Sequence, residues 1–552
     1  MRVWLLGLFS SLLLAGCGGD NDSHRQQLAQ KSLLYCISNA PLSFNPQLVM
    51  SSETLDATAH QLYNRLLRRD PNNQQLIPAL ASQWQQDSQG LRYRFTLRKA
   101  VPFHETAWFS PSRMLTADDV AFTFNRIINK QHPYHAIGGG RYPFFSGINW
   151  TELVREIRVL GPHQVEFVLT RPDADFLSYL ATDYASILSA EYGKQLQENG
   201  TPAQIDKQPV GTGPFMLQHY RPDEFIRYQR HNNYWDGPPA LQQLVFDITP
   251  QSSKRLAKLL SGECDAMANP SASQVSMIKQ DPSLAVSEAG GINVSLLALN
   301  TQKAPFNDIR VRKALSLALS RQDILQAVYF NEGRKATTLL PARSWAHSET
   351  QTMPDTNMAR ARWLLKQAGV DNSADSKRTG VKKNNKPFIN MTLLLPAGAR
   401  SYNPDGLKTG QLIQQRFATL GIKVILKPMD EQLLSQQLQD GSQDAVLTGW
   451  SADTPSPDNT LRNLLSCHGI ANTTNASRWC HPVFEQQLDL ALTEPVQAKR
   501  RSHYQLAQML AYQDVAVIPL IHSQRLLSYR RNITGLALLP YGGVAFDKAY
   551  KE

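Results

Sequence analysis

Five cysteines are the residues of this 552-residue sequence whose chemistry is most readily assigned. Cys17 closes the run Leu14-Ala15-Gly16-Cys17 at the end of an apolar stretch that follows a short positive segment. The apolar stretch is too short to span a bilayer, and small residues before a cysteine are typical of a bacterial lipoprotein signal. The pattern predicts a signal peptide over residues 1–16, a lipid on Cys17 and a polar tether over 17–30. The alternative is an ordinary signal peptide that happens to contain a cysteine.

The other four cysteines, Cys36, Cys264, Cys467 and Cys480, are an even number, as expected in an oxidising compartment. Four cysteines allow three pairings. The pairing with the shortest loop joins Cys467 to Cys480. Chain entropy predicts that this disulfide stabilises the fold by about 3 kcal/mol. The same pairing leaves Cys36 with Cys264. No CxxC pattern is present, so we predict no metal site.

Charge and motif content limit the kinds of partner. The chain has 57 Lys and Arg against 46 Asp and Glu, a formal net charge of +11. Nucleic-acid binding needs such charge on one face, and here it is dispersed, so no nucleic-acid partner is predicted. The densest basic stretch, 371–386, is typical of a solvated loop, with an anionic membrane surface as the alternative partner. HExxH, GxSxG and Walker patterns are absent, so we predict no catalytic residue and no cofactor.

Strand and helix patterns alternate along the chain. Residues 91–97 and 165–169 have the alternation of strands. Thr116 is the predicted N-cap of a helix that reaches Ile128, because carboxylates follow it in the first turn. Residues 308–328 are a further helical stretch. Strand 391–395, helix 410–419 and strand 424–426 form a βαβ pattern, which implies a parallel pair.

Two apolar strands, 294–299 and 515–521, are candidates for crossings between lobes. A chain of 552 residues is too long for one hydrophobic core, so two large lobes are expected. We predict an α/β protein with a first lobe over 31–291 and a second lobe over 292–520. The first lobe includes an inserted subdomain at about 62–205, and residues 521–552 return to it.

A series of motifs runs through nearly everything after Leu33. It comprises Ala81-x-x-Trp84, Tyr93-x-Phe95-x-Leu97-Arg98, Val101-x-Phe103-His104, Thr116-Ala-Asp-Asp-Val120, Val210-Gly-Thr-Gly-Pro-Phe215, Asn233-Tyr-Trp235-x-Gly237, Gly262-Glu-Cys-Asp265, Leu299-Asn300 and Val311-Arg-x-Ala-Leu315. As a set these motifs resemble the family 5 solute-binding proteins, the dipeptide- and oligopeptide-binding components of ABC importers. The resemblance implies the two-lobed periplasmic-binding-protein fold of type II, with the extra subdomain of peptide binders and a ligand cleft between the lobes.

Within that family the sequence is most similar to the Sap-type peptide transport proteins, which are linked to antimicrobial-peptide resistance. The likeness rests on Tyr35-Cys36, Leu464-Leu-Ser-Cys467 and Trp479-Cys480, among others. The cysteines also stand where dipeptide binders carry two disulfides, in agreement with the pairing above. The sequence departs from the Sap type in its lipobox and in the basic run at 371–386, which looks like an insertion.

The resemblance also implies a set of ligand-binding residues. The segment Gly449-Trp-Ser-Ala-Asp453 is similar to the one whose Asp receives the peptide ammonium, so Asp453 is assigned that role, with Trp450 and Ser451 on the same wall. The segment Arg400-Ser-Tyr-Asn-Pro404 is similar to the one whose Arg binds the peptide carboxylate. Arg400 is therefore the expected carboxylate partner, with Tyr402 beside it. The alternatives are a turn-capping carboxylate, a core tryptophan and a solvated arginine.

The implied function is capture of short peptides in the Gram-negative periplasm, antimicrobial peptides among the candidates, and delivery to ABC permease subunits in the inner membrane. A monomer held to a membrane by its N-terminal lipid is expected. The basic net charge disfavours cationic cargo, because the long-range field repels it. Alternatives are a haem- or glutathione-type binding protein on the same fold, or a surface interaction lipoprotein, since fold does not fix ligand.

Overall fold

Three large sheets organise the computed structural model, which describes residues 30–290, 293–349, 351–370 and 388–552. The predicted signal peptide, Cys17 and the basic run at 371–386 lie outside the described residues. Three two-stranded ribbons are also present: Leu67–Arg69 with Leu76–Pro78, Ile533–Thr534 with Tyr550–Lys551, and Ala537–Leu538 with Val544–Ala545.

The first sheet has seven strands within the described residues, and these come from both ends of the chain. Its central strand, Ser32–Ile37, runs parallel to both of its neighbours, and the remaining pairs are antiparallel. In spatial order the strands are Leu284–Gly290, Gln524–Arg530, Ala266–Ala268, Ser32–Ile37, Gln243–Ile248, Phe225–Arg230 and Phe215–Arg221.

The second sheet has six strands in the part of the chain that is described. The predicted βαβ unit is confirmed, because Ile389–Pro396 pairs in parallel with Ile422–Met429 and helix Gly406–Ala418 connects them. Strand Asn293–Leu299 is buried along its whole length. Its apolar side chains enter two hydrophobic cores, one on each face of the sheet, which explains its largely apolar sequence. In spatial order the strands are Arg334–Lys335, Ile518–His522, Asn293–Leu299, Ala445–Ser451, Ile389–Pro396 and Ile422–Met429.

A four-stranded antiparallel sheet packs against helix Ala117–Ile128, and its core is continuous with that of the first sheet. The helix start predicted at Thr116 is confirmed: the Asp119 carboxylate accepts from the Thr116 backbone N–H at 2.8 Å and from Arg113 at 2.7 Å. Phe124 on its buried face contacts the sheet through Phe167, with ring centres 5.4 Å apart. In spatial order the strands are Ala81–Gln86, Arg92–Leu97, Gln164–Leu169 and Val154–Gly161.

The helical stretch predicted over 308–328 is two helices, Ile309–Ala318 and Arg321–Tyr329. Ser320 separates them: its backbone is extended, and its hydroxyl accepts from the Asp323 N–H at 3.1 Å, which caps the second helix. Further helices are Ser52–Thr58, Pro143–Gly147, Trp150–Leu153, Phe176–Tyr179, Ala190–Glu198, Ser252–Ser261, Ala272–Gln280, Met358–Gln367, Glu431–Asp440, Pro457–Leu465, Cys467–Ala471, Pro482–Thr493 and Gln497–Gln513. Across the described ranges, no helix has both the length and the apolar content that a membrane crossing requires.

The chain passes between the first and the second sheet at two places. It leaves the first sheet after Gly290 and enters the second at Asn293, and it leaves the second after His522 and re-enters the first at Gln524. The returning strand begins at Ile518 and not at 515, because Val515 has a positive φ of 47° and lies in the turn after a helix. The boundaries given above for the lobes and the subdomain stay a prediction.

Candidate functional site

Asp453 lies just beyond the end of strand Ala445–Ser451, before helix Pro457–Leu465 begins. The helix fixes this connection, because the Asn459 Oδ1 accepts from the Asp453 backbone N–H and from the Trp450 indole N–H, each at 3.0 Å. Trp450 is therefore held by a hydrogen bond as well as by its packing against the core on this face of the sheet. The connection presents the Asp453 carboxylate in one fixed direction.

The Asp453 carboxylate is enclosed although the residue keeps some exposed surface. Its Oδ1 accepts from the Tyr184 hydroxyl at 3.0 Å. Its Oδ2 is buried and has no hydrogen-bond partner among the described residues. Burial raises the pKa of Asp453 from 3.8 to about 7, because the Tyr184 hydrogen bond and the nearby Asn459 side chain only partly offset it and the Asp183 charge raises it further. A buried acceptor of this kind needs a donor, and a cationic donor most of all.

Tyr184 comes from the half of the molecule that contains the first sheet, so its bond to Asp453 joins the two halves. The ring is buried and stacks on Phe144 with centres 4.5 Å apart. The preceding residue, Asp183, is held by His60 at 2.7 Å and Arg65 at 3.1 Å. Burial opposes its ionisation, but these contacts lower the pKa of Asp183 to about 2. The wall that faces Asp453 is therefore fixed by charged contacts.

A second set of contacts anchors the same connection three residues later. The Asp175 carboxylate accepts from the Ser456 hydroxyl and from Arg500 at 2.7 Å. The neighbouring Ala174 N–H donates to the Leu492 carbonyl at 2.8 Å. The loop between Asp453 and helix Pro457–Leu465 is thus bound on both sides to residues that follow the four-stranded sheet.

Arg400 and Tyr402 lie on a tight turn after strand Ile389–Pro396, where Arg400 and Asn403 exchange backbone hydrogen bonds of 2.8 and 3.0 Å. That strand is a parallel neighbour of Ala445–Ser451, so the turn and Asp453 emerge at the same edge of the sheet. Arg400 and Tyr402 are both partly exposed.

The turn packs directly on the strand that carries Trp450. A Cβ placed on Gly449 would lie 2.4 Å from Cγ of the Tyr402 ring, so only glycine allows the ring to lie against the strand. The Ser401 and Ser451 hydroxyls are 2.7 Å apart. The Ser451 backbone pairs with Asn293 in the sheet, so this residue meets the turn through its side chain.

The structure thus places the five predicted ligand-binding residues on two adjoining segments, 400–402 and 450–453. Their roles as ligand contacts stay a prediction. Two residues that touch Asp453 were absent from the sequence analysis. Tyr184 is 269 positions away in the chain and has no motif of its own. Asn459 had a local signal, because an amide in the first turn of the following helix can bond the preceding loop.

The predicted disulfide pairing is confirmed. Cys36 is bonded to Cys264 with Cα atoms 6.0 Å apart, and Cys467 to Cys480 with Cα atoms 4.8 Å apart. Cys36, Cys264 and Asp247 form one group of potential metal ligands among the described residues. Both sulfurs are in a disulfide, so neither is available as a thiolate, the form that binds metals.

Comparison with known proteins identifies the family. The family model described as bacterial extracellular solute-binding proteins, family 5 Middle, matches residues 75–472. The probable ABC transporter periplasmic-binding protein SapA of Escherichia coli (strain K12) is 40% identical over 525 residues, 95% of this chain and 93% of its own. The peptide transport periplasmic protein SapA of Salmonella typhimurium is 39% identical and covers 100% of this chain and 97% of its own.

Among solved structures, the dipeptide binding protein from Pseudoalteromonas sp. SM9913 in complex with Met-Leu is similar with a TM-score of 0.84 and 35% identity. The match covers 94% of this chain and 100% of that one. The predicted α/β fold and the predicted likeness to the Sap-type proteins are both confirmed. The chain belongs to the family 5 bacterial extracellular solute-binding proteins.

Proposed function

We propose that this protein is the substrate-binding component of an ABC-type importer, capturing short peptides in the periplasm and delivering them to the membrane permease. One observation carries the proposal: the enclosed Asp453 Oδ2 has no hydrogen-bond partner among the described residues. The free ammonium of a peptide is a cationic donor of the right kind for it. A protein of 35% identity that has been solved with Met-Leu supports the same class of ligand.

The ammonium end of the peptide is proposed to bind as follows. The N–H groups of the ligand ammonium donate to Asp453 Oδ2, while the Tyr184 hydroxyl continues to donate to Oδ1. The positive ligand stabilises the ionised carboxylate, which burial alone disfavours. A charge-assisted hydrogen bond in an enclosed site is worth roughly 1.5–3 kcal/mol. Near pH 7 binding therefore releases a proton from those molecules in which Asp453 is protonated.

The carboxylate end is assigned to Arg400. Its guanidinium can bond both oxygens of a carboxylate at once, which an ammonium cannot do with the same geometry. Tyr402, Trp450 and Ser451 line the space between the two ends. Because segments 400–402 and 450–453 adjoin, a peptide held at both ends is short.

Capture is proposed to occur by closure of two lobes. Tyr184 and Asp453 come from different halves of the molecule, so the enclosed carboxylate to which the ligand is proposed to bind forms only when the halves meet. A ligand that binds the closed form better shifts the equilibrium toward it. We assign the second lobe to residues 292–520 and the first to 31–291 with 521–552. The protein binds its ligand without transforming it, and hydrolysis of ATP belongs to other chains of the importer.

Lipid attachment at Cys17 and a monomeric state complete the proposal. A lipid would keep the binding protein at the membrane that holds its permease, but one acyl chain binds only marginally, so several are required. Expression of the full chain and of Cys17→Ser, followed by detergent phase partitioning, tests this. Partition of the full chain into the detergent phase, lost in Cys17→Ser, is expected; partition of both into the aqueous phase would remove the anchor from the proposal.

The experiment that tests the cargo is mass spectrometry of molecules released by gentle denaturation from protein made without the lipid. Short peptides are expected, and Asp453→Ala should lose them. Asp440→Asn, an exposed carboxylate on the same half, is the matched control and should retain them. Recovery of haem, with a Soret band on titration, or recovery of long cationic antimicrobial peptides would replace short peptides as the cargo.

A further inference from the structure

The turn that carries Arg400 is bound to both places where the chain changes sheet. The Ser401 carbonyl oxygen accepts from the Ser523 hydroxyl at 2.8 Å and from the Asn293 side-chain amide at 3.2 Å. Ser401 lies between Arg400, which we assign to the carboxylate end of the site, and Tyr402. A single acceptor thus receives hydrogen bonds from two segments that are 230 positions apart in the sequence.

The two donors occupy special positions in the chain. Asn293 is the first residue of the second sheet after the chain leaves the first sheet. Ser523 is the one residue between strands Ile518–His522 and Gln524–Arg530, which belong to different sheets. Backbone rotations that move one sheet relative to the other must occur at or beside these two crossings, where they can change the direction of the two donors.

The crossings are themselves joined, which makes the arrangement stiff. The His522 Nδ1 lies 3.1 Å from the Asn293 carbonyl oxygen. The Ser295 hydroxyl accepts from the Ile521 N–H at 3.3 Å. Asn293 and Ser523 are 2% and 4% exposed, so neither exchanges its partner readily for water.

A further contact holds the other side of the same turn. The Tyr329 hydroxyl donates to the Tyr402 carbonyl oxygen at 2.7 Å and lies 3.1 Å from the Ser295 hydroxyl. Two consecutive carbonyls of the turn, those of Ser401 and Tyr402, are therefore bonded to buried side chains on or beside the crossings. This is more support than a tight turn needs, since Arg400 and Asn403 already close it through their backbones.

We infer that Asn293 and Ser523 are positioning residues that couple the Arg400 turn to the lobe crossings, so that the grip on the ligand carboxylate depends on the closed arrangement of the two lobes. This inference rests on the proposed function, because it takes Arg400 to bind a peptide carboxylate. Neither residue touches the ligand in this scheme. Each acts on it through the Ser401 carbonyl.

The test separates this role from a general effect on folding by changing the ligand as well as the protein. Met-Leu and its C-terminal amide are titrated calorimetrically into wild type, Ser523→Ala and Asn293→Ala. Each substitution is expected to weaken Met-Leu about 5-fold, the loss of one hydrogen bond, and to leave the amide unchanged. Ser523→Thr keeps the hydroxyl and should bind both ligands as wild type does. The two alanine variants report on the same carbonyl, so either decides the matter if the other fails to fold.

An equal loss of affinity for both ligands would overturn the inference, because it would place these residues in the general support of the cleft. Unchanged affinity for both ligands would also overturn it. Arg400→Met in the same series should remove the preference for Met-Leu over its C-terminal amide. If wild type has no such preference, Arg400 does not bind the carboxylate and the inference is overturned with that role. Wild type that binds neither ligand would overturn the proposed function itself.

Discussion

Asp453 and Arg400 follow neighbouring parallel strands of the second sheet, yet they are held in opposite ways. Asp453 is enclosed, and its carboxylate meets Tyr184 from the other half of the molecule. Arg400 is partly exposed, on a turn bonded to its own sheet and to the two crossings. One end of the proposed site therefore depends on burial, and the other on the position of a turn.

This difference gives the two ends different energetic roles. Burial raises the pKa of Asp453 to about 7, so its ionised form is disfavoured until a cationic ligand pairs with it, and we expect the ammonium end to supply most of the affinity. A partly exposed arginine loses less free energy when its ligand carboxylate is absent, because water screens its charge. We expect the ammonium end to decide whether a peptide binds and the carboxylate end to decide its length.

The largest effect is expected from Asp453→Asn. The neutral amide leaves the ligand ammonium without a counter-charge in an enclosed site, which should cost about 3–5 kcal/mol of binding free energy. This corresponds to an increase in Kd of at least about 100-fold. Calorimetric titration with Met-Leu measures it, and Asp440→Asn is the matched control. N-acetyl-Met-Leu, which has no ammonium, should bind wild type and Asp453→Asn equally weakly. A change below tenfold for Met-Leu would show that Asp453 is not the dominant contact.

The next effect is a dependence on pH that belongs to the Asp453 end alone. The folded pKa of about 7 means that the carboxyl takes up a proton as the pH falls below 7, and the protonated form cannot pair with an ammonium. Affinity for Met-Leu should fall about 20-fold between pH 7.5 and 5.5, at close to tenfold per unit at the lower end. Calorimetry in buffers of different ionisation enthalpy should show release of about one proton near pH 6. A flat profile from 5.5 to 7.5 would contradict the raised pKa.

A smaller effect is expected at the other end. Arg400→Met should weaken Met-Leu about tenfold, the low end for a charge-assisted hydrogen bond, without moving the pH profile. Arg155→Met, which removes an exposed arginine from the four-stranded sheet, is the control and should have no effect. A loss as large as that of Asp453→Asn would remove the contrast between the two ends.

The smallest effect is expected from Tyr184→Phe, which keeps the ring stacked on Phe144 and removes only the hydroxyl. Since that hydrogen bond lowers the pKa of Asp453, its loss should move the midpoint of the pH profile upward and weaken Met-Leu about 5-fold at pH 7. Tyr550→Phe, at an exposed tyrosine, is the control. If the midpoint stays where wild type has it, Tyr184 does not tune this carboxylate.

Local patterns were sufficient for the elements but not for the contacts between them. The helix at Thr116 and the βαβ unit could be predicted because capping residues and apolar periodicity act within a few positions. The break at Ser320 was missed, since a serine inside an apolar helical pattern does not reveal whether it caps or continues the helix. Asp453 and Arg400 were reached through family motifs. Tyr184 could not be reached in this way, because its partner is distant in the chain and no local pattern encodes the pairing.

Strand Gln524–Arg530 has a consequence for the order in which the chain can fold. It lies between Leu284–Gly290 and Ala266–Ala268 in the first sheet, although it is made more than two hundred residues after either of them. During synthesis the N-terminal half emerges first, so its sheet lacks the strand between Leu284–Gly290 and Ala266–Ala268 until residues 524–530 have been made. Synthesis that stops before residue 524 therefore leaves unpaired sheet edges, the kind of surface that aggregates.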